Sequence, residues 1–246
     1  MLNKKVIEIG LTRNFNRQTQ IDISEGLPEV PVMPETLLLM ELCTRGRSID
    51  LMEMSNLVLR DPGATLQIMR QAGRGGPLED ERFNRIEDYI SALGVEACME
   101  AVSKRTVGRS MDKPAIQQAW SHARAIAEEC RQLADGMPSK TNPDEAYLTG
   151  LLHELGSFPM TLNWDRGSLK MGNPELAGFR LAQTWRLPGC VREYYSGLQD
   201  IANANQWTEL VQCAHQTANS SAEARRLIER PAVREMADER LQVVLA

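Results

Sequence analysis

Apolar residues recur along most of this chain at spacings of three and four, the period of one helix face. The pattern is cleanest between residues 113 and 135. There Ile116, Ala119, Trp120, Ala123, Ile126, Ala127, Cys130 and Leu133 form a single stripe and predict one long helix. Shorter stripes predict others. Leu37, Leu38, Met40 and Leu42 follow Pro34, which suits a first helical turn because its missing N–H has no partner there. Ser48 is the expected N-cap for a helix carrying Leu51, Met52, Met54 and Val58. Asp61-Pro62 reads as a cap and first-turn proline before Leu66 and Met69, with Gly73 closing that helix. Gly94 closes a helix from about Arg85 to Leu93.

Beyond the long helix, one from about Pro143 carries Ala146, Leu148, Leu151, Leu152 and Leu155. Asn173-Pro174 caps another through Leu176, Phe179, Leu181 and Trp185, stopped by Pro188-Gly189. Trp207, Leu210, Val211, Ala214 and Ala218 mark one more, and Pro231 opens a last one with Val233, Met236, Leu241 and Val244. The only strand candidate is Lys5 to Leu11. The expected class is all-α.

Composition narrows the function. With 246 residues and 42% hydrophobic content the chain can bury a core without disulfide or metal. Its net charge of −5 argues against non-specific nucleic-acid or anionic-membrane binding, which needs a basic field. The five cysteines are an odd number, widely spaced and without a CxxC pair, which points to reduced thiols. No signal-type apolar run opens the chain and no stretch reaches the roughly 18 apolar residues of a membrane span, so a cytoplasmic protein is expected. Lys104-Arg105 with Arg109 reads as a solvated helix face, and most of the 12 methionines as core filling.

Familiar catalytic signatures are missing. There is no GxxxxGK[ST] and no GxSxG, and Gly73-Arg74-Gly75-Gly76-Pro77 follows no strand. Cys213 and His215, two apart, fall on different faces of a helix, against a nucleophilic pair. Two histidines have a suggestive spacing. His122 lies on the long helix, and His153-Glu154 follow about thirty residues on. A histidine and a distant His-acid pair form the pattern of an HD-type site, where imidazoles and a carboxylate grip a divalent metal that activates water against a phosphoester.

Several segments in order resemble the HDOD family, the HD-related output domain of bacterial signalling proteins. They are Leu27-Pro28-Glu29-Val30-Pro31, Ser48 to Gly73 centred on Asp61-Pro62, Ile86 to Gly94, Trp120-Ser121-His122, Tyr147 to Gly156, and Pro174 to Pro188. The resemblance spans roughly residues 26 to 218. It implies an all-helical domain of two lobes, the second related to HD phosphohydrolases. It also implies a regulatory or scaffolding role rather than hydrolysis. The lobes are expected at about 26–112 and 113–220, between an extension at 1–25 and a helical segment at 221–246.

Departures from an active HD pattern point the same way. Glu154 stands where the HD aspartate is expected, Ser157 where a lysine often follows the glycine, Tyr194-Tyr195 where further histidines would fall, and Cys213-Ala214-His215 near a later ligand aspartate. Too few ligands are visible to hold a metal, so His122, His153 and Glu154 are read as a vestigial site. On this reading no residue is catalytic, no cofactor is implied, and His215 is a flanking histidine. Tyr194-Tyr195 is expected to close the former cleft rather than form a sticky aromatic patch. The expected function is a non-catalytic signalling module binding regulatory proteins. The alternatives are a metal-dependent phosphohydrolase with altered ligands, and a sensor of cyclic dinucleotides or other small ligands in the cleft between the lobes.

Overall fold

A computed structural model describes residues 30–45, 50–74, 83–103, 113–136, 141–162, 164, 173–199 and 205–228. These form eleven helices and no strand beyond an isolated bridge residue, Val32. The strand candidate Lys5 to Leu11, the basic cluster Lys104, Arg105 and Arg109, and the helix expected after Pro231 lie outside the described residues.

The first lobe holds α1 (Pro34–Thr44), α2 (Leu51–Leu59), α3 (Pro62–Arg74), α4 (Ile86–Leu93) and α5 (Val95–Ser103). The cap of α2 is Asp50, whose carboxylate accepts from the N–H groups of Met52 and Glu53. This corrects the expectation for Ser48, and a carboxylate is the better acceptor at the positive end of a helix. Helix α3 is the centre of the lobe. Every residue from Asp61 to Arg70 is buried, so its polar side chains need internal partners. Thr65 Oγ1 donates to the Val58 carbonyl at 2.9 Å and Gln67 Nε2 to the Val30 carbonyl at 2.7 Å.

Glycines act as pivots where the sequence suggested stops. Gly94 has φ +78°, a left-handed conformation in which glycine carries no Cβ penalty, and α5 begins at the next residue. Gly73 lies inside α3, which continues to Arg74.

The second lobe holds α6 (Lys113–Gly136), α7 (Pro143–Leu151), a 3-10 turn (Leu155–Ser157), α8 (Phe158–Thr161), α9 (Pro174–Thr184), α10 (Gly189–Gln199) and α11 (Gln206–Ile228). Ile116, Trp120, Ala123, Ile126, Ala127 and Cys130 of the predicted stripe are all buried. Asn142 and Asn173 cap α7 and α9 through their side-chain oxygens. Gly189 opens α10 instead of merely ending what precedes it. Helix α11 passes unbroken through residue 220, so the segment expected to begin at 221 starts as its continuation.

Helices α6 and α7 meet at backbone distance. A Cβ added at Gly150 would lie 2.7 Å from the Ala127 Cα, so only glycine allows this approach. The lobes are tied by Tyr147 Oη donating to the Leu59 carbonyl at 3.1 Å, by Arg85 with Asp144 at 2.9 Å, and by the Arg70 guanidinium 4.4 Å above the Trp185 ring.

Candidate functional site

Three elements of the second lobe converge on one point. Helix α6 presents His122, the turn after α7 presents His153 and Glu154, and α11 presents His215. The ring centroids lie 5.4 Å (His122 to His153), 5.2 Å (His122 to His215) and 4.8 Å (His153 to His215) apart. One nitrogen from each imidazole falls within 4.8 Å of the other two. Glu154 Oε1 stands 3.8 Å from His122 Nε2. The three residues expected to share a site, His122, His153 and Glu154, are therefore together.

The reading of His215 as a flanking histidine is corrected. Val211, His215 and Ala218 share one face of α11, and that face packs on α6 and α7. The i, i+4 step from buried Val211 was visible in the sequence and signalled the inward direction.

The His153 ring is oriented. Its Nδ1 lies 2.6 Å from the Gly150 carbonyl, an atom that only accepts, so Nδ1 carries the proton and Nε2 keeps its lone pair. That Nε2 is buried and has no hydrogen-bond partner among the described residues. Burial pushes the His153 pKa down to about 3, opposed by the Gly150 bond and reinforced by the neighbouring histidines. Burial and His122 lower that of His215. His122 and Glu154 are open to solvent on one side, with side chains 40% and 35% exposed.

Tyr194 and Tyr195 are both buried, so they form no exposed aromatic patch. Tyr195 Oη lies 2.6 Å from the His153 carbonyl and 2.9 Å from that of Leu152, and 3.4 Å from the Gly156 N–H that donates to it. Its ring rests where a Cβ on Gly178 would meet it at 2.0 Å, so α9 leaves just enough room for it. The tyrosine fills the space beneath the His153 turn with a fixed, apolar ring.

The buried thiols offer little nucleophilic chemistry. All five cysteines are free. Burial pushes Cys130 and Cys190 up to about 12 and Cys98 to about 11, which keeps them protonated at neutral pH. A separate cleft of about 660 Å³ runs between α2 and the α6–α7 pair, lined by Asn56, Arg60, Ser121, Arg124, Arg131 and Tyr147. No helix among the described residues is long and apolar enough to cross a membrane.

The fold is shared with solved structures. The MmoQ response regulator from Methylococcus capsulatus str. Bath superposes with a TM-score of 0.61 at 18% identity, covering 86% of this chain and 92% of that one. A fragment of the same regulator gives a TM-score of 0.57 at 18% identity, covering 87% and 92%. At this identity the likeness establishes the fold alone. No curated protein sequence matches the chain. The family model of the HDOD domain matches residues 30–175, from the first buried residues through the first lobe and into the second as far as the start of α9, and the chain belongs to the HDOD family.

Proposed function

We propose that the chain is a non-catalytic signal-transduction module that acts by binding regulatory proteins in the cytoplasm. Family membership and the likeness to a protein called a response regulator support a signalling setting. The observation that carries the reading is the distribution of exposed apolar surface. Six large hydrophobic side chains are exposed among the described residues. Five of them, Leu38, Leu39, Leu42, Leu51 and Met52, lie on α1 and the first turn of α2, which pack together. Single exposed leucines need no explanation, but a concentration of them marks an interaction surface.

The test is affinity capture of the tagged chain at native expression level, with Leu38→Ser/Leu42→Ser alongside wild type. A defined partner retained by wild type and lost by the variant, with the fold intact by circular dichroism, supports the reading. Equal capture by both proteins, or by neither, sinks it.

One observation favours a second reading, a metal-dependent phosphohydrolase with altered ligands. It is the convergence of His122, His153 and His215 beside Glu154. Hydrolysis of nucleotides or cyclic dinucleotides, lost in His153→Ala, is the result that would replace the first reading with this one.

A further inference from the structure

We propose that His122, His153 and His215 form a binding site for one divalent transition-metal ion of the zinc class, with Glu154 supplying a negative charge at its rim. The site stands apart from the proposal about protein partners. It holds whether or not the chain performs any hydrolysis.

The donor set selects the metal. Imidazole nitrogens suit zinc, copper, nickel and iron(II), whereas magnesium and calcium demand oxygen ligands. Three nitrogens within 4.8 Å of one another need a modest closure. Zinc–nitrogen bonds of about 2.0–2.1 Å place tetrahedral ligands about 3.4 Å apart. His122 and His215 are only half-buried and can swing inward, while His153 is fixed.

The second, independent observation is the state of His153. It is 8% exposed, and its Nε2 is sealed from solvent without a hydrogen-bond partner among the described residues. A buried polar atom without a partner carries a desolvation penalty that a native fold normally relieves. The other ring nitrogen is tied to the Gly150 carbonyl, the arrangement that fixes the tautomer of a metal-binding histidine and aims its lone pair at the ion. Glu154, 3.8 Å from His122, offsets the charge the ion brings. The ion would join α6, α7 and α11 at the point where they meet, adding a cross-link between three helices.

The experiment is titration of the chelator-treated, purified chain with Co²⁺ as an optical probe, and with Zn²⁺ and Mg²⁺, followed by calorimetry and native mass spectrometry. We expect one Co²⁺ or Zn²⁺ per chain, the intense visible bands of low-coordinate cobalt, and no binding of Mg²⁺. His215→Ala changes a half-exposed position and should keep the fold, checked by circular dichroism. It is expected to weaken the affinity by at least about tenfold, since even outer-shell changes cost that much. Zn²⁺ should raise the melting temperature of wild type and not that of His215→Ala. Three results overturn the proposal: no stoichiometric Co²⁺ or Zn²⁺, equal affinity in His215→Ala, or equal response to Mg²⁺.

Discussion

The Trp120 indole N–H donates to Asp61 Oδ1 at 2.8 Å, joining the first turn of α3 in one lobe to α6 in the other. The same carboxylate accepts from the backbone N–H groups of Met33 (2.7 Å), Gly63 (2.8 Å) and Ala64 (3.2 Å). Burial pushes the Asp61 pKa up, while Met33, Ala64, Thr36 and Trp120 as donors pull it back. One residue thus caps a buried helix, holds the chain before α1 and docks the helix that carries His122.

Asp61→Ala should therefore be among the most damaging single changes in the chain. It leaves several buried donors without acceptors at once, each worth about 1–3 kcal/mol. A loss of about 3–5 kcal/mol in urea unfolding is expected, a large part of the 5–15 kcal/mol typical of a whole domain. A loss below about 1 kcal/mol would show that water or a rearrangement satisfies those donors.

Tyr195→Phe keeps the ring that fills the space under the His153 turn and removes only the hydroxyl. The carbonyls of Leu152 and His153 and the Gly156 N–H lose a shared partner. Destabilisation of about 1–2 kcal/mol is expected, with the domain still folded. Unchanged stability would mean that the hydroxyl does not fix the turn.

Gly178→Ala tests the same fit from the other side. The added methyl would meet the Tyr195 ring at 2.0 Å, and a fully buried ring cannot step aside. A cost of about 1–3 kcal/mol is expected from overpacking. Thermal melting reads it directly, and a wild-type melting temperature would show that α9 and α10 can separate without penalty.

Stability of the metal-free protein should fall between pH 6.5 and 5. His153 is held down to about 3 in the fold but titrates near 6.5 once unfolded. Below pH 6.5 the unfolded chain takes up a proton that the native chain refuses, so stability present above 6.5 is lost as the pH falls. The slope is on the order of 1 kcal/mol per pH unit, in a window where most carboxylates do not yet titrate. His153→Gln should flatten the curve. Equal slopes for the variant and wild type would place the titration elsewhere.

Much of this architecture was legible from residue types. The α6 stripe and the caps at Asp61 and Asn173 follow from local chemistry, and local chemistry is what a sequence displays. Helices α5 and α10 were hidden because Gly94 and Pro188-Gly189 look like terminators, yet each serves as the hinge into a new helix. His122 and His153-Glu154 were found by spacing. His215 was missed because its meaning depends on α11 crossing α6, a contact made far from its sequence neighbours. The exposure of Leu38 and Leu42 was equally invisible, since an apolar stripe does not say which of its members face the core.

Turnover tests the central claim most directly. The purified chain, supplied with Zn²⁺ or Mn²⁺, is incubated with nucleoside phosphates and cyclic dinucleotides while phosphate release and product formation are followed. The account predicts no hydrolysis above a protein-free control, because it reads the chain as a module that acts by binding proteins and not by turning over a phosphoester. Hydrolysis that scales with protein and vanishes in a folded His122→Ala or His153→Ala variant would contradict it.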